Sequence, residues 1–242
     1  MGRLAVVSGG GTGIGRAVAA ALAAEGSEVV VVGRRPEPLA AVAAGLPGVR
    51  AVTADLTDPA QVARAAKEIG GPVDVLVNNA GGNFAPAPPE PGDLETLRAQ
   101  WLANVTGNVL PVVLLTEALL PVLSRPGGRI VTITSVAAFR GPATYGGSKA
   151  ALHPWSAELA ARLAPEGVTV NVVAPGYIPE TEFYGERMNA EFHAGRSAQS
   201  PSGRGGTPAE VAATVAHLAS PLAGFLTGQI IQINGGAIPG RG

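Results

Sequence analysis

Residues 144–149 read Thr-Tyr-Gly-Gly-Ser-Lys, in a chain with three tyrosines and only two lysines against fifteen arginines. Positions four apart on a helix share a face, with Cβ atoms about 5–6 Å apart, so Tyr145 and Lys149 can address one point. A phenol has a reference pKa near 10. An ammonium about 4 Å away contributes about 4 kcal/mol at an effective dielectric near 20, which corresponds to about three pKa units. One lysine is therefore enough to draw a tyrosine toward neutral pH, where it can give and take protons. Arginine does not replace a compact ammonium at a site shaped for one, and this arginine-rich chain keeps a lysine here.

A second stretch carries a different chemistry. Ser-Gly-Gly-Gly-Thr-Gly-Ile-Gly at 8–15 follows a short apolar run and opens an alanine-rich helical stretch. Glycines in that place let backbone amides approach a pyrophosphate at a helix N-terminus, where the dipole favours negative charge. The second apolar run ends in Gly33-Arg34-Arg35, with no carboxylate. In dinucleotide folds an acidic residue near this point binds the ribose hydroxyls, and an arginine accommodates a 2′-phosphate. Planar guanidinium suits phosphate, so the pattern predicts NADP(H) over NAD(H), with Arg16 placed to assist. The third run ends in Asp-Leu-Thr-Asp at 55–58. Asp55 can accept a hydrogen bond from an adenine amino group, and Asp58 can equally cap the following helix.

The elements that must position these residues alternate. Apolar, β-branched runs lie at 4–8, 28–33, 49–55, 73–81, 128–135, 168–176 and 228–235. They are continuous rather than alternating, which marks strands buried on both faces. Helical stretches lie between them at 13–25, 37–44, 59–69, 94–123, 145–164 and 208–219. Strand–helix alternation predicts a parallel, doubly wound sheet in one domain. Pro111 and Pro154 fall inside helical stretches, where each is expected to remove a backbone bond or kink the helix. Residues 177–206 differ from the rest: they hold no strand run but carry Tyr177, Tyr184, two phenylalanines, one methionine and mixed charges. A segment of that length between a strand and a helix reads as a lid over a substrate site.

The totals exclude several classes. Net charge is −1 over 242 residues, so no basic excess marks a nucleic-acid partner. There is no cysteine, hence no disulfide and no thiolate metal site. The three histidines lack metal-ligand spacing, and no metal is expected. The greasiest run, 109–120, is interrupted by Glu117 and falls short of a membrane span. No signal peptide precedes the first strand run, and the expected location is cytoplasmic.

Together these motifs resemble the short-chain dehydrogenase/reductase family. The resemblance rests on the glycine run at 8–15, Asn-Asn-Ala-Gly at 78–81, Asn104 in Trp-Leu-Ala-Asn-Val, Ser135 at a strand end, Tyr145 and Lys149, Pro175-Gly176, and the run 228–236. It covers essentially the whole chain. It implies a three-layer α/β Rossmann fold with a seven-stranded parallel sheet, and a catalytic group of Asn104, Ser135, Tyr145 and Lys149. Tyr145 would protonate a substrate carbonyl, Lys149 would lower its pKa and hold the nicotinamide ribose, and Ser135 would bind the substrate oxygen. Asn104 would hold a relay water. Ser8, Gly9, Gly11, Thr12, Gly13, Ile14, Gly15, Arg34, Arg35, Asp55, Leu56, Asn79, Ala80, Gly81, Pro175, Gly176, Ile178 and Thr181 would join Tyr145 and Lys149 around NADP(H). The loop from Ser135 to Tyr145 is shorter than is usual in the family. The implied activity is reduction of a ketone to a secondary alcohol, closest to a 3-oxoacyl thioester reductase or a biosynthetic ketoreductase, in a homodimer or homotetramer. Rival readings are an NAD-dependent alcohol, sugar or polyol dehydrogenase and a non-catalytic dinucleotide sensor or scaffold. The complete catalytic group weighs against the second. Enoyl reductases of the family space tyrosine and lysine more widely, which weighs against that branch.

Overall fold

Valine-rich runs with no polar alternation can only be satisfied between two layers of helix, and the chain folds that way. A computed structural model describes residues 2–85, 87–187 and 189–239. Its strands are β1 (Leu4–Ser8), β2 (Glu28–Gly33), β3 (Val49–Thr53), β4 (Val75–Asn78), β5 (Arg129–Ile133), β6 (Thr169–Pro175) and β7 (Ile230–Ile233). The helices are α1 (Gly13–Ala24), α2 (Pro36–Gly45), α3 (Pro59–Ile69), α4 (Leu94–Asn108), α5 (Leu110–Leu119), α6 (Ala143–Ala150), α7 (Leu152–Leu163), α8 (Ala190–Ser197) and α9 (Pro208–Ala219). The strands form one sheet in the order β3-β2-β1-β4-β5-β6-β7, and every pairing is parallel.

Successive strand residues feed opposite faces. Ala5, Val7, Val29 and Val31 meet α1, α2 and α9 on one side. Val6, Val30 and Val32 meet α3, α5 and α7 on the other. Each fully buried valine contributes about 1.5–3 kcal/mol, so both faces of β1 and β2 anchor the fold. Strand order reverses direction between β1 and β4, and in such sheets the crevice at the carboxyl ends of those strands is where ligands bind.

Both prolines act at helix breaks. The stretch 94–123 splits at Val109, and Pro111 becomes the second residue of α5. The stretch 145–164 splits at Ala151, which places Pro154 in the first turn of α7, where an N–H has no intrahelical partner to lose. Tyr145 and Lys149 both fall within α6, so their four-residue spacing is helical. One expectation needs correction. A window reaching back from α5 into α4, within Leu94–Val122, is long and apolar enough by composition to cross a membrane. Here it is a broken helix pair that buries Val112, Leu115 and Leu119 in the domain.

Candidate active site

The glycine run forms a tight turn between β1 and α1. Gly9 and Gly13 have φ of 64° and 52°, a region L side chains rarely adopt. A Cβ on Gly15 would strike the Gly9 carbonyl and come within 2.5 Å of Asn79 Nδ2. Asn79 braces the turn by donating to the carbonyls of Ser8 (3.1 Å) and Gly9 (3.2 Å). Ser8 takes a different place from the one expected. Its Oγ accepts the backbone N–H groups of Asn79 and Ala80, both at 3.0 Å, so it ties β1 to the end of β4 and does not face the cleft. Gly15 likewise lies behind the turn.

The other cofactor-side residues expected from sequence do meet. Gly9, Gly11, Thr12, Gly13, Ile14, Arg34, Arg35, Asp55, Leu56, Asn79, Ala80, Gly81, Pro175, Gly176, Ile178 and Thr181 all line one cleft of about 940 Å³. Thr181 reaches the glycine turn: a Cβ on Gly13 would lie 3.2 Å from its methyl. Asp58 is the helix cap, accepting the Ala60 N–H at 2.8 Å. Asp55 accepts the Thr57 N–H and hydroxyl at 2.9 and 2.8 Å, and these bonds, helped by the Arg34 charge, hold its carboxyl below the usual carboxylate range. Arg35 pairs at 2.6 Å with Glu182, far along the chain. Arg34 keeps its place on the cleft wall. The backbone cradle that tolerates no Cβ and the arginine at its far end fit a dinucleotide.

Ser135, Tyr145 and Lys149 line the same cleft. Ser135 follows β5 and caps a short turn at Val136–Ala138 by accepting the Ala137 N–H at 3.1 Å. Thr132, three residues earlier in the chain, is wholly buried inside β5. Tyr145 is 8% exposed, with its ring 5.3 Å from Phe183. Burial pushes its phenol above the ordinary value, and a hydrogen bond with Ser135 opposes that rise. Burial also pushes the Lys149 ammonium down to about 8, and Nζ donates to the Ile133 carbonyl at 3.2 Å. The expectation that a lysine charge governs the phenol is thus corrected. Removal from water disfavours both charged forms, and Ser135 offsets only part of the rise in the phenol.

Asn104 is buried on α4, but its Nδ2 turns to the Gln100 carbonyl (3.1 Å) and its Oδ1 to the Phe84 N–H (3.3 Å). The residue one turn later, Asn108, is wholly buried behind the cleft wall, against Gly81 and Gly82. Asn108 Oδ1 accepts the Gly82 N–H at 3.0 Å, while its Nδ2 donates to the Gly82 carbonyl (2.9 Å) and Ser148 Oγ (3.1 Å). A Cβ on Gly81 would lie 2.6 Å from Asn108 Oδ1 and 2.9 Å from Lys149 Nζ. The sequence held a signal for it: Asn104 and Asn108 share one helix face, and Pro111 forces the break at which Asn108 sits.

Segment 177–206 lies over Tyr145. It holds a short 3₁₀ stretch, Glu182–Arg187, then α8; Met188 lies outside the described residues. The Tyr184 ring meets those of Phe183, Tyr177 and Phe192 at 5.0, 5.2 and 5.5 Å, and Glu182 reaches Arg35 and Thr12 Oγ1 (3.4 Å). Sequence reading missed these partners, which lie 147 and 170 residues apart.

A Rossmann sheet with a glycine turn after its first strand, opening into a cleft that holds Ser135 and the buried Tyr145 and Lys149, defines an oxidoreductase that works with a nicotinamide dinucleotide. A family model described as Enoyl-(Acyl carrier protein) reductase matches residues 9–237. The 3-oxoacyl-[acyl-carrier-protein] reductase FabG of Escherichia coli is 36% identical over 97% of both chains. The rhamnolipids biosynthesis 3-oxoacyl-[acyl-carrier-protein] reductase of Pseudomonas aeruginosa is 35% identical over 97% of this chain and 96% of that protein. Among solved structures, the P. aeruginosa RhlG/NADP active-site complex superposes with a TM-score of 0.88 at 34% identity, covering 98% of this chain and 96% of the other. The chain belongs to the short-chain dehydrogenase/reductase family.

Proposed function

We propose that this protein is an NADPH-dependent ketoreductase that reduces a ketone to a secondary alcohol, of the 3-oxoacyl thioester or biosynthetic type. The observation that carries the reading is the buried Tyr145 phenol in one cleft with Ser135 and Lys149, which the glycine turn also lines. The bound dinucleotide supplies a hydride. Tyr145 gives its proton to the substrate oxygen, and Ser135 donates a hydrogen bond to the charge developing there. Lys149 returns a proton to Tyr145, and Asn108 holds the water that relays it, the part that the sequence suggested for Asn104. The 177–206 segment closes over the substrate as the lid of this one domain. The test is oxidation of NADPH and NADH with a panel of 3-oxoacyl thioesters, diketones, cyclic ketones and keto sugars. Absence of NADPH binding would overturn the reading.

Arg34 carries the choice of dinucleotide, because Arg35 is engaged by Glu182. Arg34→Ala is expected to raise KM for NADPH about tenfold or more, the loss of one charge-assisted hydrogen-bonding partner, and to leave KM for NADH unchanged. Equal effects on both would remove Arg34 from the 2′-phosphate.

We further propose that the chain works in the cytoplasm as a homodimer or homotetramer. Leu94, Leu97, Trp101 and Val105 make an outward apolar stripe on α4, and Leu222 and Phe225 are more than 90% exposed. Apolar faces of this kind mark association surfaces. Light scattering after gel filtration should give a multiple of the chain mass. A strictly monomeric species at micromolar concentration would refute assembly.

A further inference from the structure

The mixed charges of 177–206 sort themselves in the folded chain. Glu182 is taken by Arg35 at 2.6 Å. Arg204 pairs with both Glu210 oxygens, at 2.9 and 2.5 Å. Arg196 on α8 is different: it lines the cleft and pairs with no carboxylate among the described residues. Its guanidinium sits over the Tyr177 ring, 5.8 Å from the centre. Nη1 donates to Gln199 Oε1 at 3.2 Å, and the charge stands near the Tyr184 phenol, opposing the rise that burial causes there. Nε is shielded from solvent and has no hydrogen-bond partner among the described residues.

That arrangement is costly for the free protein. The Nε–H of this half-buried guanidinium, shielded and unsatisfied and with no counter-charge, loses hydration without recovering it. A carboxylate restores both terms, because its two oxygens match the guanidinium fork. The aromatic path leads from there to the chemistry: Tyr184 packs on Phe183 at 5.0 Å, and Phe183 on Tyr145 at 5.3 Å.

We infer that Arg196 anchors an anionic end of the substrate, and that the ketones this protein prefers carry a carboxylate, with their apolar body against Phe183, Tyr184 and Phe192. The inference rests on the ketoreductase reading and narrows it to oxo acids. Arg196 sets specificity; it takes no part in proton transfer.

The experiment compares 4-oxopentanoate and 5-oxohexanoate with their methyl esters, in the wild type and in Arg196→Met and Arg196→Lys. The wild type should favour at least one acid over its ester about tenfold or more in kcat/KM, and Arg196→Met should lose about tenfold or more on the acid alone. Arg196→Lys should recover part of that loss, and NADPH affinity should not change. Wild type treating acid and ester alike, or Arg196→Met lowering both equally, would overturn the inference. A binding measurement separates this from failure of the ketoreductase reading. The same acids are titrated calorimetrically into the NADP⁺ complex of Tyr145→Phe, with and without Arg196→Met. Binding lost with Arg196→Met upholds the subsite even if no oxo compound is reduced; binding unaffected by Arg196→Met refutes it.

Discussion

Tyr145→Phe should lower kcat for ketone reduction about 10²–10⁴-fold, the range that a positioned general acid contributes, and should leave NADPH affinity within about a factor of three. The substitution removes only the hydroxyl. The ring, packed 5.3 Å from Phe183, stays in place, so the variant folds and the loss reads the proton. Burial raises this phenol above its ordinary value, which keeps it protonated across neutral pH. The reduction rate should therefore be flat in its dependence on Tyr145 near pH 7. The reverse oxidation needs the phenolate as base, and it should rise with pH throughout the range in which the fold survives. Turnover in Tyr145→Phe within about tenfold of wild type would sink the assignment of the acid.

Lys149→Met should cost about 10²-fold or more in kcat, because the proton relay and the cation behind Tyr145 are both lost. It should also make the protein more stable at pH 7. Lys149 is 4% exposed, and burial lowers its ammonium from the ordinary 10.5 to about 8. With the folded value below the unfolded one, folding must hold a proton that the interior disfavours. The penalty is full below about pH 8 and lifts as pH climbs to 10.5. Its upper size is about 3 kcal/mol. Loss of the bond to the Ile133 carbonyl offsets part of the relief, so a net gain of about 1–2 kcal/mol, or about 2–8 °C in Tm, is expected at pH 7. The gain should shrink between pH 8 and 10. A Tm difference that stays constant over that range would show that Lys149 is not held charged against desolvation. Asn108→Ala separates the two effects: it should lower kcat while lowering stability, since it gives up bonds to Gly82 and Ser148.

What the sequence discloses depends on the distance between the parts. β1, β2 and α9 fall on the residues that the periodicity predicts, because valine runs and capped helices are local signals. Tyr145, Lys149 and the glycine turn were readable for the same reason: each is a spacing within one element or one turn. Asn104 was read in place of Asn108 because both lie on the same face of α4, and only the helix break ahead of Pro111 tells which side chain faces Gly82. The Arg35–Glu182 pair joins residues 147 apart, and charge counts over 177–206 cannot say which arginine is left for the cleft. The sign of the Tyr145 shift was hidden too, because the spacing gives the neighbour but not the water excluded from both groups.

The burial of Lys149 also bears on how the molecule can be handled. The chain has two lysines, and the other, Lys67, is exposed in the last turn of α3. In a parallel sheet that turn lies at the opposite edge from the carboxyl ends of the strands, where the cleft opens. An amine-reactive dye or surface linker therefore has one lysine side chain within easy reach, and it faces away from the mouth of the site. The protein can be tethered or labelled at that position with the cleft left open to solution.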